Sequence, residues 1–427
     1  MSKSHTVSEK QSEIQRSAKS NFGKKGWEII ILCAFMLFFA TGTTTDGLNV
    51  TVPALAEIHN WDSSVLLGFA TVSGLVSIAG MFIFGYVCHK KGPRFTAVLS
   101  LIIGGLSYIW YGNVTSITQY AIALCILSVM ANVSAWISGG AFLANWFPKK
   151  KGLALGWATM GNNFASACFV PILSFLAVKV GMPMSISIMG GFMILLAAWA
   201  LKVKSTPEED SCTPDNETLT AEQIQAYKEE QDSYVSKWTT KDLLKTKELW
   251  FISISLGLYM MVTVGVMSQL VPRLTSIGFT QEKAVLSMTV CALIGVVGSY
   301  AWGVLDQKLT TKVAASIFGV WYGVAIIFNL IPNMACIYIS IFMIGIAIGG
   351  NANFPVSLTA SVFGRYEFSK AYAIINPLTA VLRVASFSVL AICLQLTGSL
   401  AGAYVFFAVF AFIAAVVVLF VKQEKYV

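Results

Sequence analysis

Long apolar runs alternate with short polar breaks along almost the whole chain. Twelve runs are long enough, as helices rising 1.5 Å per residue, to cross a hydrocarbon core of roughly 30 Å. They fall at residues 28–56, 63–88, 94–113, 117–145, 152–178, 183–203, 249–276, 282–305, 312–331, 334–363, 369–396 and 399–421. The pattern predicts an all-α membrane protein with twelve transmembrane helices. A polar, basic stretch precedes the first run and lacks the apolar core of a cleavable signal, so residues 1–27 read as a cytosolic tail. The only long polar interruption, 204–247, separates a first group of six spans (28–203) from a second (248–421), and 422–427 form a short cytosolic tail.

The polar breaks differ in charge. Loops after even-numbered spans read "HKKGPR", "PKKKG", "DQKLTTK" and "GRYEFSK", whereas loops after odd-numbered spans carry little beyond Lys179 and Lys283. Basic loops stay on the cytosolic side. Both termini are therefore expected in the cytosol, and the protein in the cytoplasmic (inner) membrane.

Composition agrees. The chain is 56% apolar and 12% charged, against about 25% charged in soluble domains. The net charge of +8 resides largely in these loops and argues for topology rather than for nucleic acid. Eight Cys and three His form no metal-binding spacing, so the cysteines read as small packing residues. No cofactor or metal is expected, and no Ser/His/Asp constellation suggests an enzyme. Membrane lipid and a small-molecule substrate are the expected partners, and a monomer the expected state.

The two groups of spans repeat one another. "GYVCHKKGPRFTAVLS" after span two matches "GVLDQKLTTKVAASIFG" after span eight. "ANWFPKKKGLALG" after span four matches "SVFGRYEFSKAYA" after span ten. A six-plus-six repeat implies two six-helix bundles related by pseudo-two-fold symmetry, with a site between them near the bilayer midplane. The linker opens acidic, "STPEEDSCTPD", then offers a capping box from Thr220 to Gln223 and an amphipathic run. Its simplest role is to connect the halves.

Charges at membrane depth are the best functional pointers. An Arg or Asp at a helix centre costs about 2.5–3.5 kcal/mol on insertion scales unless it faces a cavity or partner. Asp46 and Arg383 are the two clearly inside a span. Helical spacing puts Tyr372, Asn376, Thr379, Arg383 and Ser386 on one face of span eleven, with Pro377 loosening the helix where the stripe begins. Arg383 could bind a carboxylate through its fork of donors, or be satisfied by carbonyls or Asp46. Asp46 could pair with Arg383, carry a proton, contact a substrate amine, or be a polar residue near a helix end. Weaker candidates are Asn132 and Trp136 in span four, Asn162 and Asn163 in span five, Tyr259 and Gln269 in span seven, and Asn351 and Asn353 in span ten. Their amides also suit ordinary interhelix bonding.

Several stretches resemble a known family. Gly85 followed by "HKKGPR" is similar to the loop motif of the major facilitator superfamily. "NWFPKKKGLALGWATMG", "DLLKTKELWF" and "GNANFPVSLTASVFG" resemble the oxalate–formate antiporter family within it, and the similarity touches both halves. The resemblance implies the major facilitator fold and transport of small organic anions by exchange or with protons. It also exposes departures. The family's loop acid is His89 here, and in the second half the position is Gln307, with Asp306 displaced by one. These acids are thought to latch the bundles on the cytosolic side, so His89 and Asp306 are gating candidates. His89 could also sense pH or simply help set topology. The family's cationic anchors in spans eight and eleven correspond to Ser299 and Thr379. Trp136 replaces a site tyrosine, Asn351 stands where another is expected, and Thr44 and Thr45 match site positions in span one. The resulting expectation is a carrier of a monocarboxylate or zwitterion whose substrate meets Arg383, Thr379, Asn376, Asp46, Thr45, Trp136, Asn351 and Ser299, with Asp46 also available for coupling. Export of amphipathic or cationic compounds anchored on Asp46, and a non-transporting receptor on a carrier scaffold, are the alternatives.

Overall fold

The computed structural model describes residues 21–217, 225, 229, 234 and 238–423. The Thr220 capping box, residues 1–20 and residues 424–427 lie outside the described residues, as does most of the amphipathic run. Among the described residues the secondary structure is helical, without strands. Eleven helical stretches are long and apolar enough to cross a membrane. One of them, Val65–Gly112, contains two spans folded back at Gly92, where φ is +82° and the next residue is Pro93. That makes twelve. The corner between spans ten and eleven is built the same way at Gly364, with φ +67°. A side chain would be strained at either corner.

The spans are interrupted where hydropathy alone predicts continuous helix. Wide π-turns occupy Gly42–Asp46 in span one, Val133–Ser138 in span four and Ala165–Phe169 in span five. Such turns insert one extra residue and often mark functional sites. Thr43 and Thr44 stitch the first of them by donating to the carbonyls of Phe39 and Ala40, both at 2.7 Å. Span seven ends its main helix at Ser268 and resumes as Leu270–Ser276. Span ten pauses after Asn351 and restarts at Phe354, where Pro355 suits the first turn because it has no N–H to satisfy.

Each half has its own apolar core. Tyr108, Leu124 and Phe142 lie in the first, and Tyr259, Phe318 and Phe354 in the second. Small residues let the helices touch, as lipid-embedded packing requires. A Cβ on Gly105 would sit 2.7 Å from the carbonyl oxygen of Gly190, joining spans three and six. On the face that carries the linker, the same device joins the halves. A Cβ on Gly85 would lie 2.3 Å from that of Ala373, and one on Gly303 would lie 2.8 Å from the Cα of Gly156. Towards the other end of span two, Gly68 and Gly74 face open space. The halves are thus packed together on the linker face.

Candidate functional site between the halves

Arg383 is half-buried in span eleven and has no ion pair or hydrogen bond with any described residue. The comparison within the molecule is Arg273, near the end of span seven. There the guanidinium donates to the Asn329 side chain at 3.1 Å and its carbonyl at 2.9 Å, and lies over the Tyr404 ring. A structural arginine in this protein is satisfied; Arg383 is not.

The rest of the stripe is equally short of partners. The Tyr372 hydroxyl, the Asn376 amide nitrogen and the Ser386 hydroxyl are buried without a hydrogen bond among the described residues. Thr379 donates to the Asn376 carbonyl at 2.6 Å. Helical side chains lean towards the N-terminus, so Arg383 leans towards Thr379 and Asn376. Buried polar groups normally find partners. A run of orphans ending in an unpaired cation is the composition of a binding surface for an anion carrying further polar groups. The stripe starts against the first half, where Tyr372 packs beside Gly140 of span four.

Asp46 closes the span-one π-turn. Its carboxylate accepts from the Ser166 hydroxyl at 2.9 Å, from the π-turn of span five, and it forms no ion pair with Arg383. The pairing considered from sequence is therefore absent in this conformation. Ser166 carried no signal in the sequence, because only the two π-turns bring it to Asp46. Thr45 beside it is exposed, and Thr41 donates to the Asn162 side chain. Trp136 is half-buried on the span-four π-turn and packs on Leu37, Ala40, Ala131 and Ala135. Asn132 turns back onto the Ser128 carbonyl, 2.8 Å away.

Most of the other candidates are engaged by protein groups. Ser299 is fully buried. It donates to the carbonyls of Gly295 and Gly349, and accepts from Asn163 of span five at 2.8 Å. Asn353 is buried as well, donating to the Ser299 carbonyl at 2.8 Å and accepting from Thr159. These four side chains form a polar clasp between span five and spans eight and ten. Tyr259 is buried and donates to the Ala315 carbonyl at 2.7 Å. Asn351 is half-buried, with its amide 3.1 Å from the Met260 sulfur. Gln269 sits at the break in span seven.

The gating candidates occupy the linker face. Asp306 is buried, accepts from Ser357, and abuts Gly152 at the start of span five. Gln307 beside it donates to the Lys149 carbonyl at 2.8 Å, across the halves. His89 is half-buried and lines a polar pocket of about 280 Å³ with Lys91, Ser205, Glu209 and Arg365.

Twelve spans in two halves match what comparison with known proteins finds. The family model described as Major Facilitator Superfamily matches residues 30–387. The chain belongs to the major facilitator superfamily. Its relatives in that superfamily include proteins named as transporters. Monocarboxylate transporter 12 of Mus musculus is 21% identical over 406 residues, covering 90% of this chain and 82% of the mouse protein. The match to the Homo sapiens protein of that name spans only 60% of its length, at 21% identity over 70% of this chain. The oxalate:formate antiporter of Oxalobacter formigenes is 21% identical, covering 81% of this chain and 79% of its own. Among solved structures, the proton:xylose symporter XylE superposes with a TM-score of 0.71 at 15% identity, covering 94% and 96% of the two chains. The human organic anion transporter MFSD10 gives 0.67 at 13% identity, covering 91% and 98%. At such identities the structures speak for the fold alone.

Proposed function

We propose that this superfamily member is a secondary active transporter of a small organic anion, a monocarboxylate or zwitterionic carboxylate, working by alternating access at the cytoplasmic membrane. The unpartnered Arg383 is the observation that carries this reading. A guanidinium with no acceptor among the described residues, on a face whose Tyr372, Asn376 and Ser386 also lack partners there, suits a carboxylate that completes the set. One cation fits one carboxylate. The family's two anchor positions are Ser299, which is consumed by the clasp, and Thr379, one turn before Arg383. The names of the monocarboxylate and oxalate:formate relatives support the substrate class. With the termini and linker cytosolic, as the basic loops suggest, the conformation closed at the linker face is outward-facing.

Asp46 supports coupling by proton or by exchange. It accepts one side-chain hydrogen bond, from Ser166, and is free to trade that bond for a proton or an ammonium group. That single acceptor role also keeps the second reading in view, export of cations anchored on Asp46. Flux into proteoliposomes separates the two. Under the carboxylate reading Arg383→Ala abolishes uptake, while Asp46→Asn alters its dependence on a proton gradient. Intact carboxylate uptake in Arg383→Ala rejects the assignment, and loss of cation export in Asp46→Asn establishes the rival.

A further inference from the structure

The superfamily's loop acid is replaced by His89, yet the linker face is closed. Beside the corner's own buried Glu367, a second acid reaches the corner of spans two, three, ten and eleven from the linker. Arg365, the first residue after the Gly364 corner, donates through two nitrogens to the two carboxylate oxygens of Glu208, at 2.8 and 3.0 Å. Glu208 lies in the linker. The two side chains are 9% and 2% exposed, so this is a buried, bidentate pair.

The segment around Glu208 is moored to the opposite half. Trp146 and Asn145 donate to the carbonyls of Lys204 and Ser205 at 3.1 and 3.2 Å. Lys25 pairs with Asp210 at 3.0 Å. Asp215 accepts from the backbone amides of Lys149 and Lys150 at 2.9 and 2.7 Å. Residues 204–217 therefore belong mechanically to the first half, and Glu208 reaches from them to the second. Glu217 pairs with Lys149 at 2.9 Å, within the first half. That pair is 54% and 35% exposed, and exposed pairs contribute little. Breaking a buried pair by removing one partner leaves a charge out of water and is strongly unfavourable. Glu208–Arg365 is thus the strap's buried ion pair across the halves.

We propose that residues 204–217 are a latch on the linker face, with Glu208 replacing the loop acid. Opening towards the linker face requires the corner of spans ten and eleven to leave the moored strap, which breaks Glu208–Arg365 and hydrates both charges. The linker sets the balance between the two conformations rather than merely joining the halves. The inference rests on the alternating-access reading and needs no substrate.

Hydrogen exchange on the full chain in detergent or nanodiscs tests it. Glu208→Gln and Arg365→Gln should each raise exchange at least tenfold at the seal between halves, residues 149–156 and 300–308. Exchange in spans three and six should stay unchanged. The double variant, with no unpaired charge, should exchange less than the sum of the singles. Arg365→Lys, which keeps the charge but loses the fork, should fall between wild type and Arg365→Gln and guards against a fold lost in the harsher variants. Single variants that exchange like wild type at the seal overturn the proposal. So does a rise confined to 204–217, or strict additivity in the double variant. Because no carboxylate enters the experiment, failure of the substrate assignment leaves its outcome unaffected.

Discussion

Asn163 of span five donates to Ser299 of span eight at 2.8 Å, and the same amide reaches the Gly295 carbonyl at 3.2 Å. The two halves are joined at that point by polar bonds made away from bulk water. Alternating access must break them. Each neutral bond contributes about 0.5–1.5 kcal/mol net, so two bonds hold the linker-closed conformation by up to about 3 kcal/mol. Asn163→Ala should therefore shift the population towards the linker-open form by roughly five- to a hundredfold. Distances between spin labels on the linker-face ends of spans five and eight measure the shift.

The seal also depends on glycine. Gly85→Ala places a methyl 2.3 Å from the Ala373 Cβ, whereas Gly68→Ala enters open space. Overpacking costs about 1–3 kcal/mol. Gly85→Ala should part spans two and eleven and favour the linker-open form in the same distance measurement, while Gly68→Ala leaves it unchanged.

Cys168 offers a view from the other side. It is exposed on the span-five π-turn two residues beyond Ser166, whereas Cys33, Cys88, Cys291 and Cys393 are buried. A membrane-impermeant maleimide applied from the face opposite the linker should label Cys168, and a transported carboxylate should slow the reaction. Mass spectrometry of the labelled peptides checks both points.

The strap should respond to acid. Burial pushes the Asp215 carboxyl up to about 6, against the pull of the Lys149 and Lys150 amides, with Glu217 adding to the rise and the Lys150 charge opposing it. A released strap would return the group to its ordinary value of about 3.9. The docked form therefore binds the extra proton, and docking strengthens as pH falls through 6. Exchange of amides 204–217, corrected for intrinsic rates, should be slower at pH 5.5 than at pH 7.5. In Asp215→Asn that difference should shrink.

Hydropathy and repeat spacing made the twelve spans legible, because lipid leaves a helix few other ways to satisfy its backbone. Arg383 and Asp46 were legible for the related reason that charge at that depth needs an explanation. Ser166 was not, since the π-turns that carry it to Asp46 add one residue per turn without altering composition. Ser299 was placed in the site through family alignment, but alignment does not tell which neighbour consumes a hydroxyl. The role of Glu208 was hidden most thoroughly. An acidic linker reads as a solvated connection until folding brings Arg365, on another corner of the molecule, against it.

In the proposed function Arg383 holds a substrate carboxylate. The most direct test is ligand-induced stabilisation of the purified protein, with a panel of small carboxylates, amino acids and betaines set beside the matched primary amides. Some carboxylates should raise the melting temperature and their amides should not, and the rise should vanish in Arg383→Ala while that variant melts normally without ligand. Carboxylates that stabilise Arg383→Ala as strongly as wild type would contradict the account.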